Sequence, residues 1–129
     1  YVKYLSSDFI SVKTQGAKGD GKTDDTEAIK KTIEEYHGCK IIYFPAGIYL
    51  ISSTIFIPSN TALVGEVWST LSATGKEFGD MNKPIPMLKI GNKGDKGLVE
   101  ISDLLFSSTG QTPGAILIEW NIRDPEGRP

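Results

Sequence analysis

Polar and apolar positions along this chain follow two periods, one confined to an early segment and the other governing everything after it. Ile29, Ile33 and Tyr36 recur at spacings of four and three, while Lys30, Lys31, Glu34 and Glu35 fall between them. That spacing places the apolar three on one stripe of an amphipathic helix. The lysines precede the glutamates, the weaker order for side-chain pairing, so this helix depends on burying its stripe. Asp24 followed by Glu27 reads as a capping box, with the Asp24 carboxylate accepting first-turn amides and Glu27 reaching back, so a helix is expected to begin there. Gly38 supplies its natural stop, and His37 fits a last-turn position where a cation complements the helix dipole.

Beyond Gly38 the period shortens to that of strands. Ile41 to Phe44, Ile48 to Ile51, Thr54 to Ile57 and Thr61 to Val64 are β-branched and aromatic runs, separated by Pro45-Ala46-Gly47, Ser52-Ser53 and Pro58-Ser59-Asn60. The rhythm returns at Met87 to Ile90, Leu98 to Ile101, Leu104 to Phe106 and Ala115 to Ile118. A further short strand is expected within Asp8 to Thr14, and Tyr1 to Ser7 reads as a lead-in or linker. Short strands and punctuation with loose periodicity, and no second long helix, predict an all-β fold: a right-handed, single-stranded parallel β-helix with an N-terminal capping α-helix. A β-sandwich is the competing arrangement. The helix then has a purpose, because the open end of a β-helix exposes strand edges and core. The longest irregular section, from Glu66 to Pro86, is expected to make contacts.

Length and composition narrow the classes. With 129 residues, 39% hydrophobic and 23% charged, the chain fits one globular domain and lacks an apolar run able to span a bilayer. A net charge of -2 without a basic cluster gives no support for nucleic-acid binding. Cys39, the single cysteine, excludes an internal disulfide and any multi-cysteine metal site, although a bridge to a cysteine elsewhere stays open. The chain begins on Tyr1 and carries no signal-peptide core, and it reads as a piece of a longer protein, with residues 8–129 the N-terminal part of a β-helix domain.

The chemistry-bearing pattern is Gly16 to Thr23, which satisfies G-x-x-x-x-G-K-[ST], the phosphate-cradling loop. Three features oppose that reading. Only one helix is expected, the strand after it ends in Pro45 rather than aspartate, and Asp24 and Asp25 put carboxylates where phosphates need the positive end of the helix. A calcium loop fits no better, since Lys22 stands where an oxygen ligand is needed between Asp20 and Asp24.

The run from Val12 through Gly16-Ala17-Lys18-Gly19-Asp20-Gly21-Lys22-Thr23-Asp24-Asp25 to Ile29, followed by Tyr43-Phe44-Pro45-Ala46-Gly47-Ile48-Tyr49, resembles the opening of the pectate-lyase-like β-helix superfamily. Val64 to Ser69, Val99 to Phe106 and Pro113 to Asn121 look like the fungal exo-β-1,3-glucanases of glycoside hydrolase family 55, at the start of their second β-helix domain. The resemblance implies a secreted enzyme that releases glucose from laminarin-like β-1,3-glucan by exo action with inversion, without metal or organic cofactor. It also implies packing against a preceding β-helix domain of the same polypeptide, no membrane or nucleic-acid partner, and a catalytic acid further along. No catalytic residue is therefore expected in this chain, and these residues alone are expected to be inactive. Glu119 beside Trp120 is the remaining catalytic candidate, ahead of Glu66, Asp80 and Asp103, and Trp68 and Trp120 are candidate sugar platforms. The alternatives are a noncatalytic carbohydrate-binding or assembly module, and a polysaccharide lyase. The lyase would want clustered aspartates for calcium, which the sequence does not display.

Overall fold

The computed structural model describes residues 8–66, 69–75, 78–79, 82–95, 97–108 and 115–122; the expected lead-in at residues 1–7 lies outside them. Within them the chain winds into a three-sided coil. A short first coil supplies β1 (Phe9–Ser11) and β2 (Asp20–Asp24), followed by helix α1 (Thr26–Tyr36). The next supplies β3 (Ile41–Phe44), β4 (Ile48–Ile51) and β5 (Ile55–Ile57). β6 (Thr61–Gly65), β7 (Thr70–Ala73) and β8 (Ile85–Ile90) form another, and β9 (Val99–Ser102), β10 (Leu105–Ser108) and β11 (Ala115–Trp120) the last described.

Equivalent strands stack into three sheets, ordered β1-β3-β6-β9, β2-β4-β7-β10 and β5-β8-β11. All of these pairings are parallel. The parallel register decides against the sandwich, whose strands would pair antiparallel, and makes this the right-handed parallel β-helix expected from the rhythm of the strands.

Register lines up like residues into columns through the core. Ile10, Ile42, Leu63 and Ile101 stack on the first face, Tyr49, Leu71 and Phe106 on the second, and Ile55, Leu88 and Ile118 on the third. Side chains alternate between inside and outside along each strand, so Ile55 and Ile57 are buried while Phe56 between them is exposed. Where a column meets a crowded corner it narrows. Phe44 pairs with Gly65, and a Cβ on Gly65 would collide with the Asp103 carbonyl and the Leu104 side chain.

The first coil contributes no strand to the third face. α1 stands there instead, packed on β5 and β3. Its Ile29 and Ile33 are each 1% exposed and join the core cluster with Ile55 and Ile57, as the apolar stripe required. Each such side chain removed from water contributes roughly 1.5–3 kcal/mol, which stabilises a helix that its own charge order does not favour. Tyr36, the third member of the stripe, is only half-buried.

Two strands were not evident from the residues. β2 falls within the glycine-rich stretch, pairing with β4 through an irregular register from Asp20 to Asp24. β7 lies inside the long section expected to be irregular, and its Ser72 is buried although polar. Pairing on both sides, with β4 and with β10, makes Thr70–Ala73 a strand where its own composition does not.

Candidate functional site

The glycine-rich loop is closely hydrogen-bonded to its own carboxylates, and those bonds answer the phosphate question. Backbone amides of Lys18 and Gly19 each donate to the Asp25 carboxylate at 2.9 Å. Those of Lys22 and Thr23 donate to Asp20 Oδ1 at 2.9 and 2.8 Å, and the Thr23 hydroxyl adds a third bond at 2.9 Å. A phosphate cradle needs such amides free to converge on an anion. Here the chain's own carboxylates already hold them. These donors pull the exposed Asp20 carboxyl down from 3.8 to about 2.

The helix start differs from the capping box expected at Asp24 and Glu27. The N-cap residue is Asp25, and its side chain makes no capping bond because it points back to the loop amides. Asp24 sits one position earlier and still serves the first turn, accepting the Thr26 amide at 3.0 Å. It also accepts the Thr26 hydroxyl and the Ser52 hydroxyl, at 2.5 Å each. Thr26 Oγ1 in turn accepts the Ser52 amide at 2.8 Å, so the network bolts the helix start to the end of β4. Burial alone would raise the Asp24 carboxyl, but the Ser52 and Thr26 donors, with Lys30 nearby, hold it below its ordinary value. Glu27 falls at the second helical position rather than the third and stands exposed there, so the reciprocal half of the box has no geometry.

A second polar knot joins the first two faces. Glu66 Oε2 accepts the Ala46 amide at 3.0 Å, and the Tyr43 phenol donates to the same carboxylate. The Ala46 amide is the main reason the Glu66 carboxyl lies below its usual range, while desolvation and Glu66 push Tyr43 up. Tyr49 is fully buried, donates to the Pro45 carbonyl at 2.6 Å and meets Phe44 edge to face at 5.4 Å. Burial and the Asp25 charge raise its phenol far above the ordinary tyrosine value. Glu66, considered as a catalytic candidate, thus has both neighbours in structural bonds.

Glu119 and Trp120, adjacent in sequence, belong to different columns. Glu119 is in register with Lys89 and, one strand further, Phe56, on the outward face of the third sheet. Trp120 is in register with Ile90 and Ile57, both fully buried, yet is itself 52% exposed at the last described strand. Its indole donates to the Ile122 carbonyl at 3.0 Å, and Asn121 Nδ2 donates to Glu119 Oε2 at 3.0 Å. The period of two along β11 therefore separates the carboxylate from the aromatic beside it. Trp68 and Asp80 lie outside the described residues, and Asp103 stands at a turn with φ +58°. Residue spacing did not single out Asp25 as the loop anchor, nor Ser52; the paired aspartates after the glycines were the one available signal.

The family model described as rhamnogalacturonase A/epimerase, pectate lyase-like, matches residues 9–123. Among curated proteins, the chain is 51% identical over 96% of its length to a probable glucan endo-1,3-β-glucosidase of Arthroderma benhamiae, covering 14% of that protein. It is 45% identical over 96% of its length to a non-secreted LysM effector, LysM19, of Penicillium expansum, covering 10% of it. It is also 38% identical over 98% of its length to a glucan 1,3-β-glucosidase of Cochliobolus carbonum, covering 16%. The chain thus spans between 10% and 16% of the length of these relatives. Among solved structures, ORF18 of Geobacillus virus E2 superposes with a TM-score of 0.66 at 29% identity, over 87% of this chain and 23% of that one.

Proposed function

Because the chain belongs to the rhamnogalacturonase A/epimerase, pectate-lyase-like family, we propose that it is the N-terminal part of a β-helix domain, residues 8–129, in a glycoside hydrolase acting on β-1,3-glucan. One observation carries the choice of substrate: the 51% identity, over nearly the whole chain, to a protein named for β-1,3-glucan cleavage. The fold alone would not choose, since the same coil serves a viral protein.

The finer reading is exo action with inversion, releasing glucose, and it rests on the likeness of residues 64–69, 99–106 and 113–121 to family 55. Inversion needs an acid on one side of the scissile bond and an activated water on the other, with carboxyl groups about 6.5–9.5 Å apart. The engaged state of Asp20, Asp24, Asp25 and Glu66 supports placing that pair outside this chain. The role of these residues is scaffolding: α1 closes one end of the coil, and the outward side of the first sheet offers a neighbouring domain the apolar surface of Phe9, Ile41, Ala62 and Val64. Secretion belongs to the same proposal.

The test is incubation of the full-length protein with laminarin and, in parallel, with polygalacturonate. Glucose as the first product, appearing as the α-anomer by proton NMR, is the expected result. Early oligosaccharides would replace exo by endo action, and unsaturated uronates absorbing in the ultraviolet would replace the hydrolase by a lyase. A second reading, a noncatalytic binding or assembly module, is favoured by the LysM effector among the relatives; it predicts glucan retention without turnover.

A further inference from the structure

A groove of about 440 Å³ opens between the second half of α1 and the turn that follows β5. Lys30, Ile33 and Glu34 line it from the helix and His37 from the helix's C-cap, opposite Phe56 of β5 and the residues flanking that strand, Thr54 and Pro58. The groove exists because a helix stands where the third face would otherwise carry a strand. A strand in that place would pair closely along β5, whereas the rounded surface of α1 leaves a cleft beside it. Its volume is in the range of small-ligand pockets.

Phe56 is the unusual member. Alternation along β5 places Ile55 and Ile57 in the core at 0% exposure and turns Phe56 out to 41%, although the strand is otherwise the best-buried of its sheet. The register continues its column outward to Lys89 and then Glu119, at the strand spacing of about 4.8 Å. The charges near the ring are mixed in sign: Lys30, bonded to Ser53 Oγ at 3.2 Å, and Glu34 stand one turn apart on the helix wall of the groove, and beyond its lining Lys89 is in register with Phe56, with Glu119 on the strand after that.

We propose that this groove binds a neutral oligosaccharide as a site separate from catalysis. A ring with 41% of its residue exposed in the groove suits the apolar C–H face of a pyranose, and the donors and acceptors of Lys30, Glu34 and Thr54 beside it suit hydroxyls. Balanced charge gives no advantage to a phosphate or a uronate, which a net positive site would favour. The choice of β-1,3-linked glucose as the sugar rests on the glucan reading above; the groove itself does not.

The experiment measures retention of the full-length protein on insoluble β-1,3-glucan, with Phe56→Ala, Lys30→Ala and Lys31→Ala compared at equal thermal stability. Phe56→Ala should lower the retention constant about tenfold and Lys30→Ala by a smaller factor, while Lys31→Ala, exposed and off the groove, leaves it unchanged. Because Phe56 faces outward, its truncation leaves the core intact, so folded protein is available for the comparison. Wild-type retention in a folded Phe56→Ala protein overturns the proposal, as does an equal loss in Lys31→Ala. Laminarin turnover by the wild type is scored separately. Turnover with Phe56-independent retention sinks the groove and keeps the glucanase, whereas Phe56-dependent retention without turnover sinks the glucanase and keeps the groove.

Discussion

The two ends of the coil face the same physical problem and meet it differently. At the first end α1 lies over the core, and Ile29, Ile33 and Val12 are at most 1% exposed. At the last described coil the core-facing Ile101, Phe106 and Ile118 are only half-buried and Trp120 is 52% exposed, and no strand pairs beyond β9, β10 or β11 among the described residues. The column Ile57, Ile90, Trp120 shows the contrast in one line, buried at its first two members and half open at its third. A stacked coil buries each strand only by adding its neighbour. Trp120, offered by sequence as a sugar platform, occupies a core register position whose burial depends on what pairs with β11.

The sharpest way to break this comparison is to truncate both ends. Ile33→Ala should cost about 2–5 kcal/mol of unfolding free energy in urea titration, since it opens a cavity beneath α1. Trp120→Ala should cost much less despite the larger side chain, and an equal loss would mean that the far end is as closed as the near one. Next in size is Asp25→Ala, which strands the Lys18 and Gly19 amides and should cost about 1–3 kcal/mol. Limited proteolysis within the glycine loop should rise with it. Asp24→Ala removes the first-turn acceptor of Thr26 and should lower stability by about 1 kcal/mol, with Ser52→Ala showing a smaller loss through the same network.

The smallest effect is the acid limb. Asp20, Asp24 and Glu66 all have folded values below their ordinary ones. Such depressed carboxyls stabilise the fold above their unfolded values, and that contribution fades as pH falls through the folded ones. The melting temperature should therefore decline as pH drops from about 4 towards 2, the interval set by Asp20. Asp20→Asn should flatten that decline, and an unchanged slope would remove Asp20 as a contributor.

Much of the fold was legible in the residues. Ile41 to Phe44 and Ile48 to Ile51 are strands with the bounds that their apolar runs mark, and α1 buries Ile29 and Ile33 as their spacing requires. Thr70–Ala73 was not legible, because its strand character comes from β4 and β10 on either side. The capping box misled for a related reason. Asp24 and Asp25 are chemically alike, and their neighbours in space, Ser52 for one and the Lys18 and Gly19 amides for the other, give each its role. The candidate site was less legible still: Glu119 and Trp120 are one residue apart in the chain and a sheet face apart in the coil.

By itself, then, the order of residues determined what is local: a helical stripe, short β-branched strands and the turns between them. Periodicity acts over a few residues, so it specifies elements and leaves their neighbours open. Tertiary structure alone decided which residues meet across the sheets, the pairing that makes Thr70–Ala73 a strand, the groove beside Phe56, and the engagement of the loop amides by Asp20 and Asp25. The reason is that residues far apart in sequence meet only when the coil closes, and a carboxylate chooses among donors that folding brings to it.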